Sequence, residues 1–286
     1  MADVILEAVD LDFTYADGTK ALNKVNLRVK RGEKLAVLGA NGAGKSTLFL
    51  HFNGIHRPRS GRILYNGKEI SHNKRALIDL RKKVGIIFQD PDNQLFSASV
   101  WQDISFGPFN LGLPEPEIAE RVRRAMAATE TTDLDDKPTH MLSYGQKKRV
   151  AIAGILAMEP EVIILDEPTA GLDPRHAREF MQLLATLSDT GTTIILSTHD
   201  VDLAYTWADR VAVMTRGEVV SVGKPDEIFN QSQLIVQADL TLPLLLELHA
   251  GLVRRGWLPA SAPLPKNAVE LLDNLLPTHL NRSASP

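Results

Sequence analysis

The sequence predicts an α/β protein with a mostly parallel sheet core, an antiparallel β subdomain, a helical subdomain and a small C-terminal domain. Three observations carry that expectation. Strand-like apolar runs alternate with helical segments between about residues 35 and 222. Two of those runs end in chemistry: Leu35–Leu38 enters a glycine-rich loop, and Val162–Leu165 ends at Asp166-Glu167. Past Pro225 the texture turns leucine-dense and proline-broken.

Taken in order, residues 3–38 read as β-rich, with Val4, Leu6 and Ala8 alternating and then Leu11, Phe13 and Tyr15. Asp17-Gly18 supplies a hairpin turn. A helix from Lys45 to about Asn53 follows, then a strand near Arg62–Tyr65 bounded by Gly61 and Asn66-Gly67. The strand Val84–Phe88 leads into Gln89. From Val100 to about Thr129 the pattern is helical, with breaks expected at Gly107-Pro108 and at Pro114-Glu115-Pro116. A helix from Gln146 to about Met158 precedes the strand Val162–Leu165. Next come a helix (Arg175–Leu187), a strand (Thr193–Ser197), a helix after Asp200, and strands near Arg210–Thr215 and Glu218–Val222. A boundary near Lys224 separates a domain spanning 1–224, with its helical subdomain at about 93–158, from a small domain at 225–286. Within the latter, Leu240–Val253 reads as a packing helix, Pro259–Pro265 as a break and Ala268–Leu276 as a short helix. Thr278–Pro286 reads as a frayed tail.

Composition narrows the function. A length of 286 residues suits one large domain plus an appendage, and 44% hydrophobic with 23% charged residues is ordinary for a globular chain. A net charge of −3 argues against a nucleic-acid partner. The basic clusters Arg81-Lys82-Lys83 and Arg121 with Arg123-Arg124 read as solvated faces. With no cysteine, disulfides and thiolate metal sites are excluded. No export signal is visible at Met1–Val4, and no apolar stretch reaches the ~18 residues that span a bilayer, so no direct membrane span is expected.

Residues Gly39, Ala40, Asn41, Gly42, Ala43, Gly44, Lys45, Ser46 and Thr47 form a complete phosphate-binding loop. Its glycines let main-chain N–H groups turn inward, and with the helix N-terminus they make a nest for β- and γ-phosphates. Lys45 adds a full charge, and Ser46 offers a hydroxyl to Mg²⁺. Asp166 and Glu167 stand at the carboxyl end of an apolar strand, where ligands sit in open α/β sheets. There Asp166 would hold Mg²⁺ through its water shell, and Glu167 would polarise the attacking water. Gln89 follows another strand and could reach the metal or the water, while His199 could hydrogen-bond the γ-phosphate. Tyr15 is a candidate for stacking on adenine, or a core aromatic of the hairpin. The run Leu142-Ser143-Tyr144-Gly145-Gln146 has no evident use in a monomer. Ser143 caps the next helix, and with Gly145, Gln146 and the helix N-terminus it offers an anion site for a second subunit's nucleotide. Ala170–Pro174 would run along the same interface.

Over residues 3–224 these motifs, in this order, resemble the nucleotide-binding subunit of ATP-binding-cassette transporters. The resemblance implies ATP and Mg²⁺ as cofactors, with Ser46, Gln89 and Asp166 around the metal. It also implies a dimer that sandwiches two nucleotides. One departure stands out, because that family usually has glycine where this chain has Tyr144. A tyrosyl side chain there would crowd the γ-phosphate or reach across to the partner. More narrowly, Phe88-Gln89-Asp90-Pro91-Asp92-Asn93-Gln94-Leu95-Phe96 and Leu142–Met158 are similar to energy-coupling-factor transporters, the second most of all to the cobalt-type CbiO ATPase. That likeness implies a homodimer on the cytoplasmic face of the cell membrane, peripheral, docked under subunits of the CbiQ, CbiM and CbiN kind. Residues 225–286 would serve dimer contact. Phe96, Trp101, Phe106 and Phe109 would form a groove for a partner helix, or simply core the helical subdomain. The eight histidines are scattered, with no i,i+4 pair, so any cobalt carried would be bound by another subunit. A nickel or vitamin transporter, or a soluble non-transport cassette ATPase, stands as the alternative.

Overall fold

The computed structural model describes residues 3–280. β1 (Val4–Thr14) and β2 (Lys20–Lys30) form the expected hairpin, whose turn is closed by the Tyr15 N–H donating to Thr19 O at 2.9 Å. Strict alternation along β1 fails, because Ile5 and Leu6 are both buried and the register shifts more than once. Asp10 sits at φ 46° in one of those irregularities, a bulge that period-two reasoning does not foresee. β3 (Lys34–Leu38) leads through the glycine-rich loop into α1 (Lys45–Phe52). β4 (Ser60–Tyr65) and β5 (Lys68–Glu69) complete an antiparallel sheet in the order β2-β1-β4-β5. An unanticipated helix, α2 (Lys74–Lys83), follows, its N-terminus capped by Asn73 accepting from Ala76 N–H at 2.9 Å.

The second sheet holds β6 (Val84–Ile87), β7 (Val162–Leu165), β8 (Thr193–Thr198), β9 (Arg210–Thr215) and β10 (Glu218–Gly223). Its order is β10-β9-β3-β8-β7-β6, parallel throughout except for the antiparallel edge strand β10. Central strands of this kind are buried on both faces, which explains their unbroken apolar runs. Leu35, Val37, Ile164, Ile195 and Met214 face a core shared with Phe49 and Phe52 of α1 and with the antiparallel sheet. Ala36, Leu38, Ile163, Leu165 and Leu196 face the opposite core. There they meet Phe180 and Leu184 of α6 (Pro174–Asp189) and Ala204 and Tyr205 of α7 (Val201–Trp207).

A third core joins α3 (Val100–Asn110), α4 (Glu115–Ala128) and α5 (Tyr144–Leu156) through Val100, Ile104, Val122, Met126, Val150 and Ala153. The break expected at Gly107-Pro108 does not occur: α3 runs through it and stops at Asn110. Proline removes one helical hydrogen bond, but packing outweighs that loss here. Ile104 and Pro108 are buried, and Gly107 lies so close to Met158 that an added Cβ would come within 2.6 Å of it.

After Lys224 come α8 (Pro225–Phe229), α9 (Ser232–Gln237), α10 (Leu244–Arg254) and α11 (Ala268–Leu280). Ile228, Phe229, Leu234, Ile235 and Leu246 belong to the core that backs the parallel sheet, so this segment has no separate interior at its start. Polar ties add to the packing: Leu244 N–H donates to Asp202 Oδ1 at 2.7 Å, and Lys266 Nζ lies 3.9 Å above the Tyr205 ring. α11 takes in residues 278–280 of the expected tail, and residues 281–286 lie outside the described residues.

Candidate nucleotide site

The loop after β3 turns sharply because its glycines adopt positive φ. Gly44, at φ 104°, caps α1 and approaches the hairpin so closely that a Cβ would lie 2.7 Å from Ala21 O. Asn41, Gly42 and Ser46 are exposed on this loop, whereas Gly39, Lys45 and Thr47 are buried in it. Lys45 Nζ donates to Gly39 O at 2.6 Å and to Ala40 O at 3.2 Å. Burial pulls the Lys45 ammonium below its ordinary range, against the opposing pull of Glu167 and Asp166. Tyr15, at the hairpin end, shares a 2.9 Å hydrogen bond with Thr47 Oγ1 and meets Phe13 edge-on, so it borders the loop while 38% exposed.

The ends of β7 and β8 bring the acids to this loop. Ser197 Oγ donates to Asp166 Oδ1 at 2.5 Å and accepts from the Glu167 N–H at 3.0 Å. Glu167 stands in the left-handed region, φ 46°, which is uncommon for a side-chain-bearing residue. One of its carboxylate oxygens meets His199 Nδ1 at 3.0 Å. The other is buried without a hydrogen-bond partner and lies 4.0 Å from Lys45 Nζ. Lys45, Asp166, Glu167 and His199 are thus gathered at the carboxyl ends of neighbouring strands β3, β7 and β8.

The Leu142–Gln146 segment does not join that cluster through Ser143. Ser143 is exposed and caps α5, accepting from Gln146 N–H at 3.3 Å while Gln146 Oε1 accepts from Ser143 N–H at 3.0 Å. This reciprocal box starts α5 at Tyr144, two residues earlier than expected. Tyr144, although 42% exposed, is anchored within its own chain. Its hydroxyl donates to Gln89 O at 3.0 Å, and its ring fills the space beside Gly171, where a Cβ would lie 2.2 Å from Tyr144 Cε1. Gly171 has φ 76° and is the residue type that this contact requires. Gln89 is exposed, on the turn after β6.

Sequence reasoning missed two residues here. Ser197 bridges both acids, and a hydroxyl just after the apolar run Ile194–Leu196 was its only signal. Lys148 sits fully buried among carbonyl groups, although its place in Lys147-Lys148-Arg149 suggests solvent. Elsewhere among the described residues, Glu130, His176 and Glu179 bring ligand-type atoms within 4.8 Å of one another. Arg175 ion-pairs both acids, at 3.6 and 2.7 Å, which accounts for that grouping.

His51 on α1 yields a stability prediction. Its ring Nδ1 donates to Thr47 O at 2.7 Å, and burial pushes the imidazole down to about 4. An unfolded histidine titrates near 6.5, so between about 6.5 and 4 the unfolded chain binds a proton that the folded chain refuses. The stability held by neutral His51 is complete above about pH 6.5 and falls by roughly 1.4 kcal/mol per pH unit toward 4. Denaturant melts between pH 7 and 4.5 should show that loss, and His51→Gln should flatten the slope. An equally steep slope in the variant would assign the acid sensitivity elsewhere.

Comparison with known proteins agrees with this geometry. The ABC transporter family matches residues 22–170. The energy-coupling factor transporter ATP-binding protein EcfA3 of Clostridium perfringens is 54% identical over 244 residues, covering 85% of this chain and 86% of that protein. The solved structure of cbiO1 from Clostridium perfringens, part of the ABC transporter complex cbiONQ, superposes with a TM-score of 0.72 at 53% identity, over 87% of this chain and 99% of that one. A dimeric post-hydrolysis structure of the cassette MJ0796, bound to ADP and Pi, superposes with a TM-score of 0.72 at 28% identity, over 77% of this chain and 99% of that one. The chain belongs to the ABC transporter family, as an ATP-hydrolysing, ATP-binding subunit of the energy-coupling-factor type.

Proposed function

We propose that this chain powers uptake of cobalt ions, working as a homodimer on the cytoplasmic face of the membrane beneath subunits of the CbiQ, CbiM and CbiN kind. The observation that carries the reading is the convergence of Lys45, Glu167 and His199, combined with an exposed Ser143 turn on the same chain. The loop residues Gly39, Asn41, Gly42, Gly44, Lys45, Ser46 and Thr47 would hold the phosphates, with Tyr15 beside the adenine. Ser143, Gly145 and Gln146 would meet the γ-phosphate of the other copy in a dimer, and the related cassette MJ0796 is dimeric. Two lobes that each carry half of a site have a reason to close.

Ser46, Gln89 and Asp166 form an all-oxygen donor set of hydroxyl, amide and carboxylate, the chemistry that Mg²⁺ prefers. Asp166 is buried and already oriented by Ser197, which suits it to that role. Mg²⁺ would supply charge neutralisation on the phosphates. Glu167 would take the proton of the attacking water, and His199, bonded to its carboxylate, would orient it and serve the γ-phosphate. Hydrolysis then rests on positioning and charge stabilisation more than on covalent chemistry.

Cobalt is favoured by the likeness to cbiO1, a part of cbiONQ. Among the described residues no helix is long and apolar enough to cross a membrane, which suits a peripheral subunit. A hollow of about 510 Å³ between the helical cluster and α2 is lined by Ile78, Phe96, Phe106, Leu111, Ile155 and Met158. Phe96 and Phe106 meet edge-on at 4.8 Å, and Phe109 is 70% exposed beside an adjoining hollow that Trp101 also lines. This is the groove we assign to a helix of the membrane partner. We place the cassette boundary at Lys224 and give 225–286 a role in dimer contact, supported by exposed Leu244, Leu248 and Leu272.

The test is accumulation of radiolabelled cobalt in vesicles bearing the whole complex. ATP-driven uptake of nickel or a vitamin in place of cobalt would overturn the substrate and leave the ATPase reading intact. Changing Phe96 and Phe109 together to Asp should abolish transport while soluble ATPase activity stays within about twofold. Unchanged copurification with the membrane subunits would place the groove elsewhere.

A further inference from the structure

Tyr144 and Lys148 are four residues apart on α5 and therefore share one helical face. That face touches both segments that surround the hydrolytic acid. Tyr144 donates to Gln89 O at 3.0 Å and packs against Gly171. Lys148, with no exposed surface at all, donates to Glu167 O and to Ala170 O, each at 2.8 Å. Both partners of this ammonium are main-chain carbonyls flanking one short turn. Burying an ammonium is costly, and two charge-assisted bonds offset that cost. Burial brings the ammonium down to about 8, against the opposing pull of Glu167 and Asp166.

Glu167 needs outside support for its conformation. A non-glycine residue at φ 46° is strained and persists only where its surroundings over-determine it. Its N–H is held by Ser197 Oγ from β8, and its carbonyl by Lys148 Nζ from α5. With both flanking peptide groups fixed, the side chain leaves the backbone in a set direction, and its carboxylate rests on His199 with Lys45 4.0 Å away.

We propose that Lys148 is a positioning residue for Glu167. It acts through the main-chain carbonyl and ties the helix capped by Ser143 to the acid of the same subunit. Through this tie, the helix presented to one nucleotide sets the aim of the acid at the other. The proposal rests on the reading of Glu167 as the residue that activates water.

The experiment is a double-mutant cycle on the dimeric ATPase. Lys148→Met, of similar shape without donors, should lower kcat by about 10²-fold, the loss that follows a misplacement of roughly 1 Å. The KM and Kd for ATP should change by less than about twofold. Lys148→Gln, which keeps two N–H donors, should recover about tenfold of that loss. In a Glu167→Gln background, Lys148→Met should have no further effect on the residual rate. If Lys148→Met fails to fold, Lys148→Gln carries the same cycle, with a smaller first step. Equal losses in ATP affinity and kcat, or effects that multiply in the double variant, would overturn the proposal while Glu167→Gln alone remains slow. A wild-type rate in Glu167→Gln alone overturns the reading of Glu167 and the proposal with it.

Discussion

Replacing Glu167 by Gln should cut ATP hydrolysis by about 10³-fold and trap the ATP-loaded protein as a dimer. The carboxylate is buried, one oxygen on His199 at 3.0 Å and the other 4.0 Å from Lys45 with no hydrogen-bond partner. Glutamine keeps the shape and one acceptor but cannot take up a proton at neutral pH. Binding groups stay in place, so the nucleotide remains held while turnover stalls. Size-exclusion chromatography with ATP and single-turnover hydrolysis read the two halves of this expectation. Adding Ser143→Arg should dissolve the trapped dimer, because that exposed turn is the part we assign to the other copy's nucleotide. Unimpaired turnover in Glu167→Gln would remove the acid from the chemistry, and a dimer indifferent to Ser143→Arg would remove the turn from the interface.

The second large effect is expected at Lys45. Its Nζ is held by two loop carbonyls, at 2.6 and 3.2 Å, with Glu167 4.0 Å away. Burial works against its charge, so an anionic phosphate restores the solvation that folding removes. Deleting one partner of a buried charge pair costs about 3 kcal/mol, or about 10²-fold in affinity. Lys45→Met should therefore weaken ATP binding by about that factor, measured by calorimetry, and the lost affinity should be smaller for AMP, which lacks the β- and γ-phosphates. Equal losses for AMP and ATP would mean that the side chain serves the loop's shape rather than the phosphates.

How much of this could be read from residue order differs from place to place, and for physical reasons. The loop Gly39–Thr47 and the pair Asp166-Glu167 were legible because each depends on local spacing at a strand end. The parallel strands were legible because burial on two faces leaves an unbroken apolar run. The bulge at Asp10 and the passage of α3 through Pro108 were not, since both are settled by what packs on them from distant parts of the chain. α2 escaped notice because its amphipathic face is short and most of its residues are polar. Lys148 shows the limit most plainly. Three basic residues in a row look alike on paper, and only the fold sends one inward, to the carbonyls of Glu167 and Ala170.

The shared core behind the parallel sheet bears on how this subunit transmits force. α7 starts two residues after His199, and its Asp202 and Tyr205 are gripped by Leu244 N–H and by Lys266 from the last helices' segment. The last helices are therefore joined by direct contact to the helix that follows the imidazole. A segment bolted on in this way would act less like a tether than like a handle on the turn that holds His199.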